Sequence, residues 1–252
     1  MCATKTGIQD NVDYTDNHEG GLEKIGMAVH VTSREEIIFR NRAEAGRRLA
    51  DKLKGMVEPG ALVLAIPRGG VIVGAAVASA LHCELDIVIV RKLGAPSNPE
   101  LAIGSIIEGA AEPYLNTRII RDLGVGDDYI KRETERQRKE AERRAERYRN
   151  GKPKAPVAGR TVVLTDDGVA TGATMISSIQ GVKAQQPRRL IVALPVGPVD
   201  TIDEIGTMVD DVVCLSTPSF FGSVGQFYVD FSQTTDEEVD QILERFRQKA
   251  SK

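Results

Sequence analysis

The stretch that most constrains this chain is Val162-Val163-Leu164-Thr165-Asp166-Asp167-Gly168-Val169-Ala170-Thr171-Gly172-Ala173-Thr174. An apolar run ends in two adjacent carboxylates, small residues follow, and a helix is predicted from Ala173. A continuous apolar run suits the middle of a parallel sheet, where both faces are covered. Small residues let backbone N–H groups close around an anion, and the new helix turns its positive end toward it. Thr171 and Thr174 add hydroxyl donors. The two carboxylates would repel that anion, so their task is different: to hold sugar hydroxyls or a metal. A phosphorylated sugar satisfies both halves of the loop. The bland alternative is a strand–turn–helix junction with Asp as the helix cap. A Walker-type nucleotide loop fits less well, because no Gly-Lys-Ser/Thr follows the glycines.

Two further junctions repeat the pattern. The apolar run Ala61–Ile66 stops at Pro67-Arg68-Gly69-Gly70, and an apolar helix follows from Val71 to about Leu81. Glycines allow a ligand to approach the backbone closely, and Arg68 beside a helix N-terminus makes an anion site. The strand Leu85–Val90 ends at Arg91-Lys92, and Leu93-Gly94-Ala95-Pro96-Ser97-Asn98-Pro99-Glu100 is rich in breakers, which predicts a mobile segment. Residues 102–108 and 114–116 are expected to return from it as a β-hairpin. Buried strands are also predicted at Leu190–Val196 and Asp211–Leu215, with helices between. Strands alternating with helices predict an α/β fold with a parallel sheet and right-handed crossovers. Ligands of such sheets sit at the carboxyl ends of strands. Arg68, Arg91, Asp166 and Asp167 all fall there, on three strands, which points to one shared site without any appeal to kinship.

Asp166 through Thr174 resembles the phosphoribosyl-pyrophosphate (PRPP) loop of type I phosphoribosyltransferases. Thr165 departs from that pattern, which usually has an aliphatic residue there. The resemblance implies a Rossmann-like parallel sheet flanked by helices, with Asp166 and Asp167 on the ribose hydroxyls. It places the 5-phosphate on the loop Gly168, Val169, Ala170, Thr171, Gly172, Ala173 and Thr174. Arg68, Gly69 and Gly70 correspond to the pyrophosphate loop, in a form similar to some purine-base members. Members often hold a non-proline cis peptide there. Arg91 and Lys92 open the catalytic flexible loop, where they would neutralise charge on departing pyrophosphate. Asp167 joins them as a catalytic candidate. Mg²⁺ is the implied cofactor, carried with PRPP and held by Asp166 and Asp167 directly or through water. Glu100 is the only acid of the flexible loop, and a surface role suits it as well as a catalytic one.

The remaining chain is read more plainly. Residues 1–32 are expected to be a flexible tail, with His18 solvated, and residues 33–252 one phosphoribosyltransferase domain. Ser33, with Glu36 three residues on, is expected to cap a scaffold helix reaching about Lys54. Ile38, Ala45, Leu49 and Leu53 form its apolar stripe, with Arg42, Arg47 and Arg48 off it. A charged helical insertion is predicted at about 127–149, where Thr134, Arg138, Ala141, Ala145 and Tyr148 share one face. Its interspersed acids argue against a nucleic-acid stripe and for a solvated insertion or a dimer-facing helix. Aromatics are 4% of the chain, yet Phe220, Phe221, Phe227, Tyr228 and Phe231 crowd one segment. Packing or a dimer seam is the common fate of such a cluster. The functional alternative, for Phe220, Phe221, Phe227 and Tyr228, is a stacking wall for a planar acceptor base. A last helix is expected from Asp236 to Lys249.

With 33 basic and 36 acidic side chains, the net charge is -3, which gives no overall pull toward nucleic acid or membrane. The 3 cysteines show no paired or metal-binding spacing, which suits a reducing cytoplasm. No segment reads as a signal peptide or a membrane span. The expected activity is transfer of ribose 5-phosphate from PRPP to a nitrogenous, purine-like acceptor with release of pyrophosphate, in nucleotide metabolism, by a homodimer. The alternative is a PRPP-sensing protein without turnover.

Overall fold

The computed structural model describes residues 28–110 and 112–250. Most of the expected tail, including His18 and Cys2, lies outside the described residues.

The main sheet has six parallel strands in the order β1-β9-β8-β7-β2-β3. They are β1 (Ala28–Ser33), β2 (Leu62–Ala65), β3 (Glu84–Ile87), β7 (Thr161–Thr165), β8 (Arg189–Val196) and β9 (Asp211–Ser216). The side-chain period of two divides each central strand between the faces of the sheet. Val63, Ala65, Val163, Ile191 and Ala193 enter one apolar cluster. That cluster also takes buried residues from α1 (Arg42–Leu53), α2 (Gly69–Leu81) and α7 (Asp236–Ala250). Leu62, Leu64, Val162, Leu164, Leu190 and Val192 enter the other, with α5 (Ala173–Lys183) and α6 (Val199–Gly206). The expected parallel sheet between helices is therefore what the chain forms.

Three expectations are corrected. Residues 28–32 are not tail: β1 pairs in parallel with β9, from Ala28↔Asp211 to Ser33↔Ser216. Its four inner residues, 29–32, are exposed, so no buried alternation marks it.

The first helix starts at Arg42, not after Ser33, and Asn41 caps it by accepting from Glu44 N at 3.0 Å. Residues 39–40 are instead drawn into a backbone ribbon with Phe227–Asp230. Phe39 N donates to the Phe227 carbonyl and Val229 N to the Phe39 carbonyl, each at 2.8 Å. The Ser33 hydroxyl accepts from Glu35 N in a local turn. Ala45, Leu49 and Leu53 are buried as expected, but Ile38 is exposed.

The predicted strand Leu85–Val90 divides after Ile87, and the breaker-rich segment is a hairpin. β4 (Val90–Ala95) pairs antiparallel with β5 (Asn98–Ile107) through a turn at Pro96-Ser97, and β5 pairs with β6 (Tyr114–Leu115). Leu93, Ala95, Ile103 and Ile106 give this arm a small core of its own, closed by Val125 and Ile130. That apolar content outweighs the breakers.

A short helix, α3 (Thr117–Leu123), leads into α4 (Asp127–Arg149), which spans the predicted insertion. Its buried face covers β4, β5 and α7 of the same chain. Arg138 is half-buried and donates to the Ala110 carbonyl. At its end Arg149 is buried, pairing with Asp86 of β3 at 3.1 Å and with Glu108 beyond β5. It also donates to the Ile87 carbonyl. A buried arginine with two carboxylates and a carbonyl satisfies the condition under which interior charge is tolerated.

Candidate functional site

β2 and β7 are neighbours in register, Ala65 opposite Thr165, so the loops that leave them meet. Thr165, the residue unlike the family pattern, is fully buried and donates to the Ala193 carbonyl at 2.7 Å. Its hydroxyl thereby joins β7 to β8, with a longer contact to the Asp166 carbonyl at 3.4 Å.

The turn Arg68-Gly69-Gly70 lies directly against the acid pair. A Cβ on Gly69 would stand 1.9 Å from Asp167 Oδ2, and one on Gly70 would stand 2.8 Å from Asp166 Oδ1. Only glycine permits this approach. The peptide bond between Pro67 and Arg68 is cis. Arg68 is exposed at the start of α2, its side chain making no hydrogen bond or ion pair to the other described residues.

The two carboxylates have different surroundings. Asp166 Oδ1 accepts from Asp167 N at 2.8 Å, and the Gly70 N–H also points to this carboxylate. Burial, and then the charge of Asp167, push the Asp166 carboxyl well above the usual carboxylate range. Asp167 Oδ2 instead receives Arg42 Nε at 2.7 Å. Its Oδ1 makes no hydrogen bond among the described residues. Tyr228 donates its hydroxyl to the Asp167 carbonyl at 2.6 Å. Burial, with Asp167 next, raises the Tyr228 phenol far beyond its ordinary value, so it remains a donor.

Past the acids, the chain reaches α5 through Gly172, whose φ of +76° sets the helix N-terminus. Thr171 and Thr174 are exposed, and neither hydroxyl is committed within the described residues. Thr201 fixes the loop from outside by donating to the Ala170 carbonyl at 2.9 Å. Free hydroxyls, orphan helix amides and an exposed Arg68 form an anion-receiving edge. Asp167 Oδ1 supplies an acceptor beside it.

Arg91 on β4 donates from Nε to Gln137 Oε1 of α4 at 2.9 Å, and Lys92 is exposed. No hydrogen bond or ion pair joins either to Asp166 or Asp167 among the described residues. The aromatic wall is corrected in part. Phe227 is fully buried against Phe221, with 5.1 Å between ring centroids, so it has no face left for a base. Tyr228 is committed to Asp167 and stacks on Phe231. Phe220 is 78% exposed and Phe221 half-buried.

Arg42 was not anticipated: sequence spacing set it aside as off the apolar stripe of its helix. Its local signal is a cation in the first position of a helix, where the dipole favours acids. That signal appears only once the helix start is correctly placed.

A parallel sheet between helices, with an acid pair and a small-residue helix N-terminus at its carboxyl edge, is the type I phosphoribosyltransferase architecture. The chain belongs to that family: the model of the phosphoribosyl transferase domain matches residues 36–232. A Mycobacterium tuberculosis protein named "Putative phosphoribosyl transferase Rv0571c" is 41% identical over 208 residues, covering 82% of this chain and 47% of its own length. Its counterpart in another strain of that organism matches equally. The chain thus spans about half the length of the curated relatives it matches. Among solved structures, TT1426 from Thermus thermophilus is 45% identical, with a TM-score of 0.75, covering 83% of this chain and 99% of its own. No helix among the described residues is long and apolar enough to cross a membrane.

Proposed function

We propose that this domain binds PRPP at the carboxyl edge of β2 and β7 and transfers its ribose 5-phosphate to a nitrogenous, purine-like acceptor, releasing pyrophosphate. The observation that carries this reading is the packing of Gly69 and Gly70 onto the acid pair. It supports the reading by setting the glycine turn that would receive pyrophosphate against the two carboxylates that would accept the ribose hydroxyls. Asp166 and Asp167 grip the ribose, and Gly168 to Thr174 receive the 5-phosphate on backbone amides and the two threonine hydroxyls. Arg68, Gly69 and Gly70 receive pyrophosphate. A nitrogen lone pair attacks the anomeric carbon as the bond to the pyrophosphate oxygen breaks, and the electron pair leaves with pyrophosphate. The residues act by positioning and by charge placed in advance.

Mg²⁺ suits these residues. The described residues hold no cluster of three acidic, histidine or cysteine ligands, and Asp167 Oδ1 is uncommitted. Mg²⁺ takes phosphate oxygens, waters and one or two carboxylates rather than an all-protein cage. Bound with PRPP, the ion would neutralise pyrophosphate charge, with Asp166 or Asp167 as its protein contact. Phe220 and Phe221 remain the candidates for the acceptor side. Lys92 remains a catalytic candidate, as does Arg91 if it leaves Gln137. A homodimer in a reducing cytoplasm belongs to the same reading, supported on the redox side by the free buried thiols of Cys83 and Cys214.

The test is calorimetric titration with PRPP and Mg²⁺, followed by a pyrophosphate-release assay across a panel of purine and pyrimidine bases. Absence of PRPP binding would overturn the reading. A second reading, a PRPP sensor without turnover, is favoured by one observation: Arg91 Nε is engaged by Gln137 of α4 and makes no hydrogen bond or ion pair with the acids among the described residues. PRPP binding without pyrophosphate release for any acceptor would select it.

A further inference from the structure

Arg42 is buried, 8% exposed, and every part of its guanidinium that the structure engages bears on the candidate site. Nε donates to Asp167 Oδ2 at 2.7 Å, and Nη1 donates to the Ser232 carbonyl at 2.9 Å. The planar group lies 3.8 Å above the Phe231 ring, a cation–π contact. Phe231 stacks on Tyr228 with 5.1 Å between centroids, and Tyr228 returns to the Asp167 carbonyl. The circuit Arg42–Asp167–Tyr228–Phe231 therefore closes on itself. The segments it joins are far apart in sequence: the start of α1, the loop after β7, and residues 228–232. The backbone ribbon between residues 39–40 and 227–230 fixes the base of α1 from which Arg42 projects.

The geometry points to Arg42 as a positioning residue: it fixes the Asp167 carboxylate and the segment 228–232 as one rigid unit, and through Asp167 it sets the affinity for PRPP. This rests on the reading of the acid pair as the ribose grip. Its physical basis is twofold. Committing Oδ2 to Arg42 leaves Oδ1 as the acceptor with a defined direction toward a hydroxyl. The cation also offsets one of two adjacent carboxylates that must lie beside a highly anionic ligand. Lysine reproduces this only in part: it keeps the charge but lacks the planar fork that engages Asp167 and the Ser232 carbonyl together. The same residue ties the PRPP subsite to the segment that carries Phe231, so ordering one side orders the other.

The experiment is a double-mutant cycle read by calorimetric PRPP affinity, with folding checked by circular dichroism and thermal melting. Arg42→Gln is expected to weaken PRPP binding by roughly 10- to 100-fold, the range for losing a hydrogen bond to a charged group. Arg42→Lys is expected to recover part of that loss. Asp167→Asn alone should weaken binding, and adding Arg42→Gln to it should cost little more, since Arg42 acts through that carboxylate. A residue that merely supports the fold would give additive losses. Phe231→Ala, at a partly exposed ring, repeats the cycle should Arg42→Gln fail to fold. Wild-type affinity in whichever variant is used, or additive losses with Asp167→Asn, would overturn the proposal. Absence of PRPP binding by the wild-type chain would instead overturn the underlying assignment of the site.

Discussion

Gly69→Ala is the sharpest single test of how the site is built. The new Cβ would lie 1.9 Å from Asp167 Oδ2, 2.7 Å from its Cγ and 2.8 Å from Arg42 Nε. Restoring an ordinary contact of about 3.5 Å requires the carboxylate to move by roughly 1.5 Å. The Arg42–Asp167 bond, 2.7 Å long, does not survive such a shift. Overpacking costs about 1–3 kcal/mol and loss of a charged hydrogen bond about 1.5–3 kcal/mol. Helix propensity opposes them, since alanine is better than glycine by up to about 1 kcal/mol, and by less in the first turn. The clash wins, for a net loss of about 1.5–6 kcal/mol, which lowers Tm by roughly 3–24 °C in a chain of this size. PRPP affinity should fall by about tenfold or more, the share attributable to the displaced acid. Scanning calorimetry and PRPP titration measure the two effects separately. A Gly69→Ala protein that melts with the wild type and binds PRPP equally would refute the close approach on which the site is argued.

Other outcomes follow from the same contacts. Asp167→Asn should depress pyrophosphate release while leaving the fold intact, and full turnover would exclude the ribose-gripping role. Asp166 has a raised carboxyl pKa in the fold, so its contribution to stability is greatest below the unfolded carboxylate range, about pH 4, and is lost as pH rises through the folded value. Asp166→Asn should therefore melt above the wild type at neutral pH in metal-free buffer, with the gap closing on acidification. An unchanging gap would contradict that environment. Arg149→Met strands Asp86 and Glu108 and should cost about 3–5 kcal/mol in urea unfolding. A variant of wild-type stability would show that the triad contributes no net stabilisation. Chelation by EDTA should abolish pyrophosphate release, with Mg²⁺ restoring it.

The legibility of this chain followed the range of its interactions. β2, β7 and β8 are buried on both faces, so apolar runs announced them. The loop Asp166–Thr174 was readable because its strand, acids and helix start are contiguous. β1 failed to announce itself because an edge strand with exposed residues needs no apolar pattern, and its partner is distant. The hairpin of β4 and β5 was hidden by Pro96, Pro99 and glycines, although Leu93, Ile103 and Ile106 held the apolar signal. Arg42 was invisible for the same reason of range: its partner Asp167 lies 125 residues on. Arg149 also resembled its solvated neighbours on a charged helix, since nothing local marks the carboxylates it meets. The aromatic cluster is legible as a run of residues, but sequence alone does not separate Phe227, which packs, from Phe220, which is exposed.

The long reach of Arg42 has a consequence in time. The carbonyl it holds belongs to a residue 190 positions later, and β1 waits for β9 in the same way. Translation at about 5–20 residues per second delivers those partners roughly 10–40 seconds after Arg42 leaves the ribosome. For that interval a nascent chain carries the arginine and the glycine turn without all of their partners. The site is therefore a late product of synthesis, and a chain stopped before Ser232 lacks one of the partners that hold Arg42 in place.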